Sequence, residues 1–74
     1  LNTVQKKILE YQKFIEKNFE NVGEDFVYKA RSLHYNNNKH EKGIYGKASK
    51  KQIKELKDEG IDTYVFPWIE NKNN

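Results

Sequence analysis

A serine, a glutamine and a glycine delimit the most determinate stretch of this chain. Ser49-Lys50-Lys51-Gln52 has the S-x-x-Q spacing of a capping box. The Ser49 hydroxyl can accept from the backbone N–H of Gln52, while the Gln52 side chain returns to the N–H of Ser49. Ile53 and Leu56 then recur at helical spacing, with Lys51, Lys54 and Lys57 on the solvated side. Gly60 supplies the left-handed residue that commonly ends a helix. These signals predict a helix from about Lys50 to Glu59. Lysines in its first turn and Asp58 and Glu59 in its last oppose the helix dipole. The cap and the packing of Ile53 and Leu56 must therefore hold it.

Beyond Gly60 the hydrophobic period changes. Ile61, Val65 and Ile69 share one face of an extended chain, and Tyr64, Phe66 and Trp68 share the other. That pattern predicts a strand covered on one side and touching something on the other. Pro67 removes a ladder donor, so regular pairing should fail there or lie on a sheet edge. With Ile44-Tyr45 as a second short strand, the segment reads as a parallel strand–helix–strand unit. A two-stranded sheet leaves edges free to pair, so a homodimer through a sheet edge is one expectation.

Upstream, Leu1, Val4, Ile8, Tyr11, Ile15 and Phe19 recur at steps of three and four, and Leu9 and Phe14 widen the stripe. A long amphipathic helix is expected from about Thr3 to Phe19, with Asn2 or Thr3 as its cap. Alternating lysines and glutamates fill the rest of its surface, as on an ordinary solvated face. Asn18, Asn21 and Gly23 read as a turn. Phe26, Val27, Ala30 and Leu33 then keep helical spacing through Tyr35, although Phe26, Tyr28, Ala30, Ser32 and His34 also alternate as in a strand. The helix is preferred. Residues 36–43, NNNKHEKG, form a polar loop, and residues 71–74 are expected to be a disordered tail. The fold class expected is α+β: one small domain over residues 1–70, two helices, then the strand–helix–strand unit with its two-stranded sheet.

Composition narrows the chemistry. Seventy-four residues contain no cysteine, which excludes disulfides and thiolate metal sites. No apolar run reaches membrane-spanning length and no signal-peptide pattern opens the chain, so a soluble, cytoplasmic protein without membrane contact is expected. His34, His40 and Glu41 are the nearest approach to a metal cluster, and their spacing matches no usual zinc site. Ser32 and Ser49 lack triad partners, and Gly43, Gly46 and Gly60 do not space as a phosphate loop. Gly43-Ile44-Tyr45 matches half of the GIY-YIG nuclease signature, but no Tyr-Ile-Gly follows and no arginine occurs after Arg31. No catalytic residue, metal or cofactor is expected, and the chain is not read as an enzyme.

Charge is the remaining functional signal. The net charge of +3 is unevenly spread. Residues 25–54 carry eight cations against Asp25 and Glu41, whereas residues 1–24 balance and residues 55–74 are acidic. Such segregation points to a polyanionic partner. The surface expected to bind nucleic acid or nucleoprotein comprises Lys29, Arg31, His34, Tyr35, Lys39, Lys42, Tyr45, Lys47, Lys50 and Lys51, with Tyr28 nearby. Cations would neutralise phosphates and the rings would stack on unpaired bases. A nucleotide bias toward Asn and Lys codons accounts for the asparagine run and some of these lysines without any such role. The alternative is a protein–protein regulator or inhibitor, antitoxin-like or encoded by a mobile element, that grips a larger host protein through Tyr64, Phe66 and Trp68, a composition common at binding hot spots.

The capped helix is directly testable. Ser49→Ala should lower stability by about 1 kcal/mol in chemical denaturation, with folding cooperativity unchanged.

Overall fold

The computed structural model describes residues 2–37 and 40–70. Along the chain run α1 (Thr3–Asn18), β1 (Glu20–Gly23), α2 (Phe26–Tyr35), β2 (Ile44–Gly46) and α3 (Lys50–Asp58). Three helices and a two-stranded parallel sheet make this a small α+β domain. The expected disordered tail lies outside the described residues.

Local chemistry explains the helix boundaries. At α3 the Ser49 Oγ accepts from the Gln52 N–H at 3.1 Å, and the Gln52 Oε1 accepts from the Ser49 N–H at 2.8 Å. A second capping box opens α1, where Asn2 and Gln5 exchange the equivalent bonds at 2.8 and 3.1 Å. At the far end of α3, Gly60 takes φ +84°. The Gly60 N–H donates to the Lys57 carbonyl at 2.9 Å, and the Ile61 N–H donates to the Leu56 carbonyl at 2.8 Å. That pair of bonds is a Schellman motif. Leu56 and Ile61, the two residues that the motif brings together, are both buried in the core.

The sheet is where sequence and structure part. Residues 20–23 form β1 instead of a turn, and residues 61–70 form no strand. β1 pairs in parallel with β2, aligning Glu20 with Ile44 and Asn21 with Tyr45. The parallel connection therefore passes through α2, not through α3. Glu20-Asn21-Val22-Gly23 has no apolar alternation of its own, so only its non-local partner makes it a strand. Its end is bent by a local device: the Asn21 Oδ1 accepts from the Gly23 N–H at 2.9 Å, Gly23 takes φ +53°, and the register shifts there. This is bulge geometry, with the glycine supplying the left-handed residue. The C-terminal stretch stays out of the sheet because Pro67 cannot donate to a ladder and the apolar side chains flanking it are held by side-chain contacts from other elements.

The core is small and sits between α2, α3 and the residues after α3. Val27, Ala30, Leu56 and Ile61 are buried, and Phe26, Ile44 and Ala48 pack against them. Leu56 is 0% exposed. Full burial of such a side chain stabilises the fold by about 1.5–3 kcal/mol. Helix α1 lies outside this cluster, and its one buried residue is the polar Gln12.

Close packing of the strands depends on a missing side chain. A Cβ at Gly46 would stand 2.5 Å from the Gly23 carbonyl oxygen and 2.9 Å from the Phe26 Cβ. A Cβ at Gly43 would meet the Phe19 ring, which can rotate away. Gly46→Ala should thus destabilise by about 1–3 kcal/mol, the usual cost of overpacking, and more than Gly43→Ala. Paired urea denaturation curves of the two variants check the order.

Candidate functional site

The apolar stripe of α1 and the aromatic C-terminal segment face each other, and one polar residue joins them. Gln12 is 7% exposed. Its Nε2 donates to the Ile69 carbonyl at 2.8 Å, and its Oε1 accepts from the Ile69 N–H at 2.8 Å. A single side-chain amide thus satisfies both backbone groups of one residue, much as a neighbouring strand would. Burial strengthens the pair, because either group left alone there would be costly. Around it the rings form a chain of contacts. Tyr11 lies 6.1 Å from Phe14 and 5.9 Å from Phe66 between ring centroids. Phe66 meets the edge of Trp68 at 6.2 Å, and Trp68 stacks on Tyr45 at 5.4 Å with a 25° interplanar angle.

These rings border an open crevice of 1610 Å³ that runs between α1, the C-terminal segment and the α2–sheet–α3 half. β2 and the residue on either side of it line the crevice without a gap from Gly43 to Lys47. The stripe of α1 is consequently only partly covered: Ile8, Leu9, Ile15 and Phe19 are half-buried, while Tyr11 and Phe14 are exposed. Of the residues expected to bind a protein partner, Phe66 and Trp68 stand on the crevice wall, Trp68 being 40% exposed. Tyr64 also lines it and is 97% exposed.

The residues expected to bind nucleic acid divide into two groups. Arg31 and Tyr35 are tied to α3: Arg31 Nε and Nη2 donate to the Glu59 carboxylate at 3.0 and 2.7 Å, and the Tyr35 hydroxyl donates to it at 2.8 Å. Tyr45 lies against Trp68, so the two expected sites share one stack. His34 meets the edge of Tyr35 at 5.0 Å and lines the crevice. Lys29, Lys42, Lys47, Lys50 and Lys51 are exposed, and no ion pair holds them among the described residues. Lys29 borders a separate small hollow with Glu20 and His40, which pair at 3.1 Å. Lys39 lies outside the described residues. Among the described residues of the basic segment, Arg31 is committed to Glu59 at the end of α3, whereas Lys47, Lys50 and Lys51 fall at its start. Among the described residues no three His, Cys, Asp or Glu side chains converge as metal ligands, and no helix is long and apolar enough to cross a membrane.

Sequence reasoning did not single out Gln12, nor Tyr11 and Phe14 as site residues. Gln12 carried a usable signal: it stands four residues after Ile8 and three before Ile15, inside the apolar stripe. A polar residue at such a position must find a partner when buried.

The site is thus an aromatic-walled, open crevice on a small α+β domain. The whole described chain belongs to one family: residues 1–71 match the model described as "Protein of unknown function (DUF1178)", and the protein is a member of it. No curated protein and no solved structure gives a significant match.

The Arg31–Glu59–Tyr35 group yields a pH prediction. The Arg31 guanidinium, and then the Tyr35 hydroxyl, hold the Glu59 carboxyl below its ordinary value. A carboxylate with a depressed folded value stabilises the fold above the ordinary glutamate range and loses that contribution as pH falls through its own value. Glu59→Gln should lower the melting temperature at pH 7, and the gap to the parent should close as pH drops into the acid range. A pH series of thermal melts checks this.

Proposed function

We propose that this protein is a non-catalytic binding module that takes an apolar segment of another protein into its aromatic crevice. The observation that carries the reading is the crevice itself: Tyr11, Phe14, Tyr45, Phe66 and Trp68 stand along a continuous cleft, several of them exposed. Aromatic rings offer large contact area at low conformational cost and dominate binding hot spots. A regulatory or inhibitory role toward a larger partner fits this surface. Catalysis has no support in the side chains that line it, which include no nucleophile paired with a base.

A second reading rests on Lys47, Lys50 and Lys51, which cluster before and within the first turn of α3 with no acidic neighbour in that turn. Here the basic segment contacts the phosphates of a nucleic acid or nucleoprotein, with Lys29 and Lys42 outlying. Its rings contribute less than the sequence suggests, because Tyr35 and Tyr45 are engaged within the fold.

Trp68 is the sole tryptophan and stands on the crevice wall, so its fluorescence reports the site. An apolar peptide panel should shift that emission saturably, and Phe66→Ala should weaken the effect. RNA or DNA oligomers should instead bind with strong salt dependence, a log–log slope of about −0.7 per phosphate on single strands or −0.9 on duplex. Joint charge reversal at Lys47, Lys50 and Lys51 should flatten it. Saturable oligomer binding with that slope, and no peptide response, would reverse the order of the two readings.

A further inference from the structure

Resting on the crevice reading, we infer that its occupant is an extended, cationic segment of a partner protein that adds as a third strand along the free edge of β2. Backbone geometry carries the first half of the inference. In a parallel pair, alternate residues turn their backbone groups toward the partner strand. The Glu20 N–H donates to the Gly43 carbonyl at 2.9 Å, and the Lys47 N–H donates to the Gly23 carbonyl at 3.0 Å. The backbone groups of Gly43, Tyr45 and Lys47 therefore face β1, and those of Ile44 and Gly46 face outward. No hydrogen bond from the described residues reaches that outer edge, since the sheet has only the two strands. The C-terminal segment runs nearby without pairing to it, held by Gln12 and the Trp68–Tyr45 stack. Unpaired strand edges are ready templates for an incoming extended chain, with main-chain bonds supplying affinity and side-chain pockets supplying selectivity.

Charge carries the second half. Glu16, Glu24 and Asp62 line the crevice, and none has an ion-pair partner among the described residues. Lys47 and His34 are the opposing bases on the lining. An apolar cleft with an acidic border favours a partner whose apolar side chains alternate with lysine or arginine, and repels an acidic one. A strand with that alternation turns one set of side chains to the rings and the other to the border. A second copy of this chain fits less well, because its extended segment, residues 61–70, carries Asp62 and Glu70 and no base.

The test uses acetylated, amidated peptides of about eight residues, an ordinary strand length. One alternates valine and lysine, a second alternates valine and glutamate, and a third is the lysine peptide N-methylated at every residue, which removes the donors of both edges. Trp68 emission reads occupancy, and amide exchange reads Ile44 and Gly46. The lysine peptide should bind at least about tenfold more tightly than the glutamate peptide at low salt, a difference of about 1.4 kcal/mol. It should also slow exchange at the Ile44 and Gly46 amides, and N-methylation should abolish both effects. Joint Glu16→Lys, Glu24→Lys and Asp62→Lys substitution, all at exposed positions, should reverse the charge preference. Equal binding by the N-methylated peptide, or preference for the glutamate peptide by the parent protein, overturns the strand-pairing or the cationic assignment while leaving the crevice as a binding site. Sedimentation showing a dimer that excludes the peptides makes a second copy the occupant. Failure of every peptide, apolar panel included, to move Trp68 removes the crevice reading with it.

Discussion

Leu56 is the side chain on which the remaining architecture turns. It is wholly removed from water, it sits at the last turn of α3, and its carbonyl accepts the Ile61 N–H that closes the Schellman motif. The same short stretch thus ends the helix, reverses the chain and places Ile61 beside Leu56 in the core. α2 contributes Val27 and Ala30 to that cluster, and Ile44 brings β2 against it. Since β2 is the strand that pairs with residues 20–23 among the described residues, the sheet inherits its position from this small cluster. The Arg31–Glu59 pair ties α2 to the end of α3 at the edge of the same unit.

Such a core is too small to cover every apolar side chain the chain carries. A domain of this length removes only about 60% of its unfolded surface from water. The shortfall falls on α1, whose stripe the C-terminal segment covers only in part. Gln12 resolves this in part by joining α1 to Ile69 through a buried two-bond pair. A polar link fixes separation and register without needing close apolar packing between the walls. The rings on either side are left bordering an open cleft.

Much of this was legible in the sequence, for reasons that differ by element. Helix ends depend on chemistry within a few residues, so Ser49, Gln52 and Gly60 announced α3, and the three-and-four spacing announced α1. Strand pairing is non-local, and Ile44-Tyr45 could be recognised while its partner could not: Glu20-Asn21-Val22-Gly23 resembles a turn until β2 lies beside it. The aromatic run after Gly60 has the composition of a strand, but composition does not say whether backbone or side chains will hold it. The same limit applied to the surface. Counting charges grouped Arg31 with the lysines, whereas Glu59, distant in sequence, lies against it in the fold.

Electrostatic segregation survives folding in an altered form. Among the described residues of the basic middle segment, Arg31 is paired with Glu59, Lys29 lies by the smaller hollow, and Lys47, Lys50 and Lys51 fall at the start of α3. The rings that might stack on bases border a cleft that also holds Glu16, Glu24 and Asp62. Phosphates brought to Trp68 would meet the repulsion of those carboxylates, which salt screens because all three are exposed. Carboxylates outnumber bases along the crevice, whereas the first turn of α3 carries Lys50 and Lys51 with no acidic residue, so neighbouring surfaces differ in local charge.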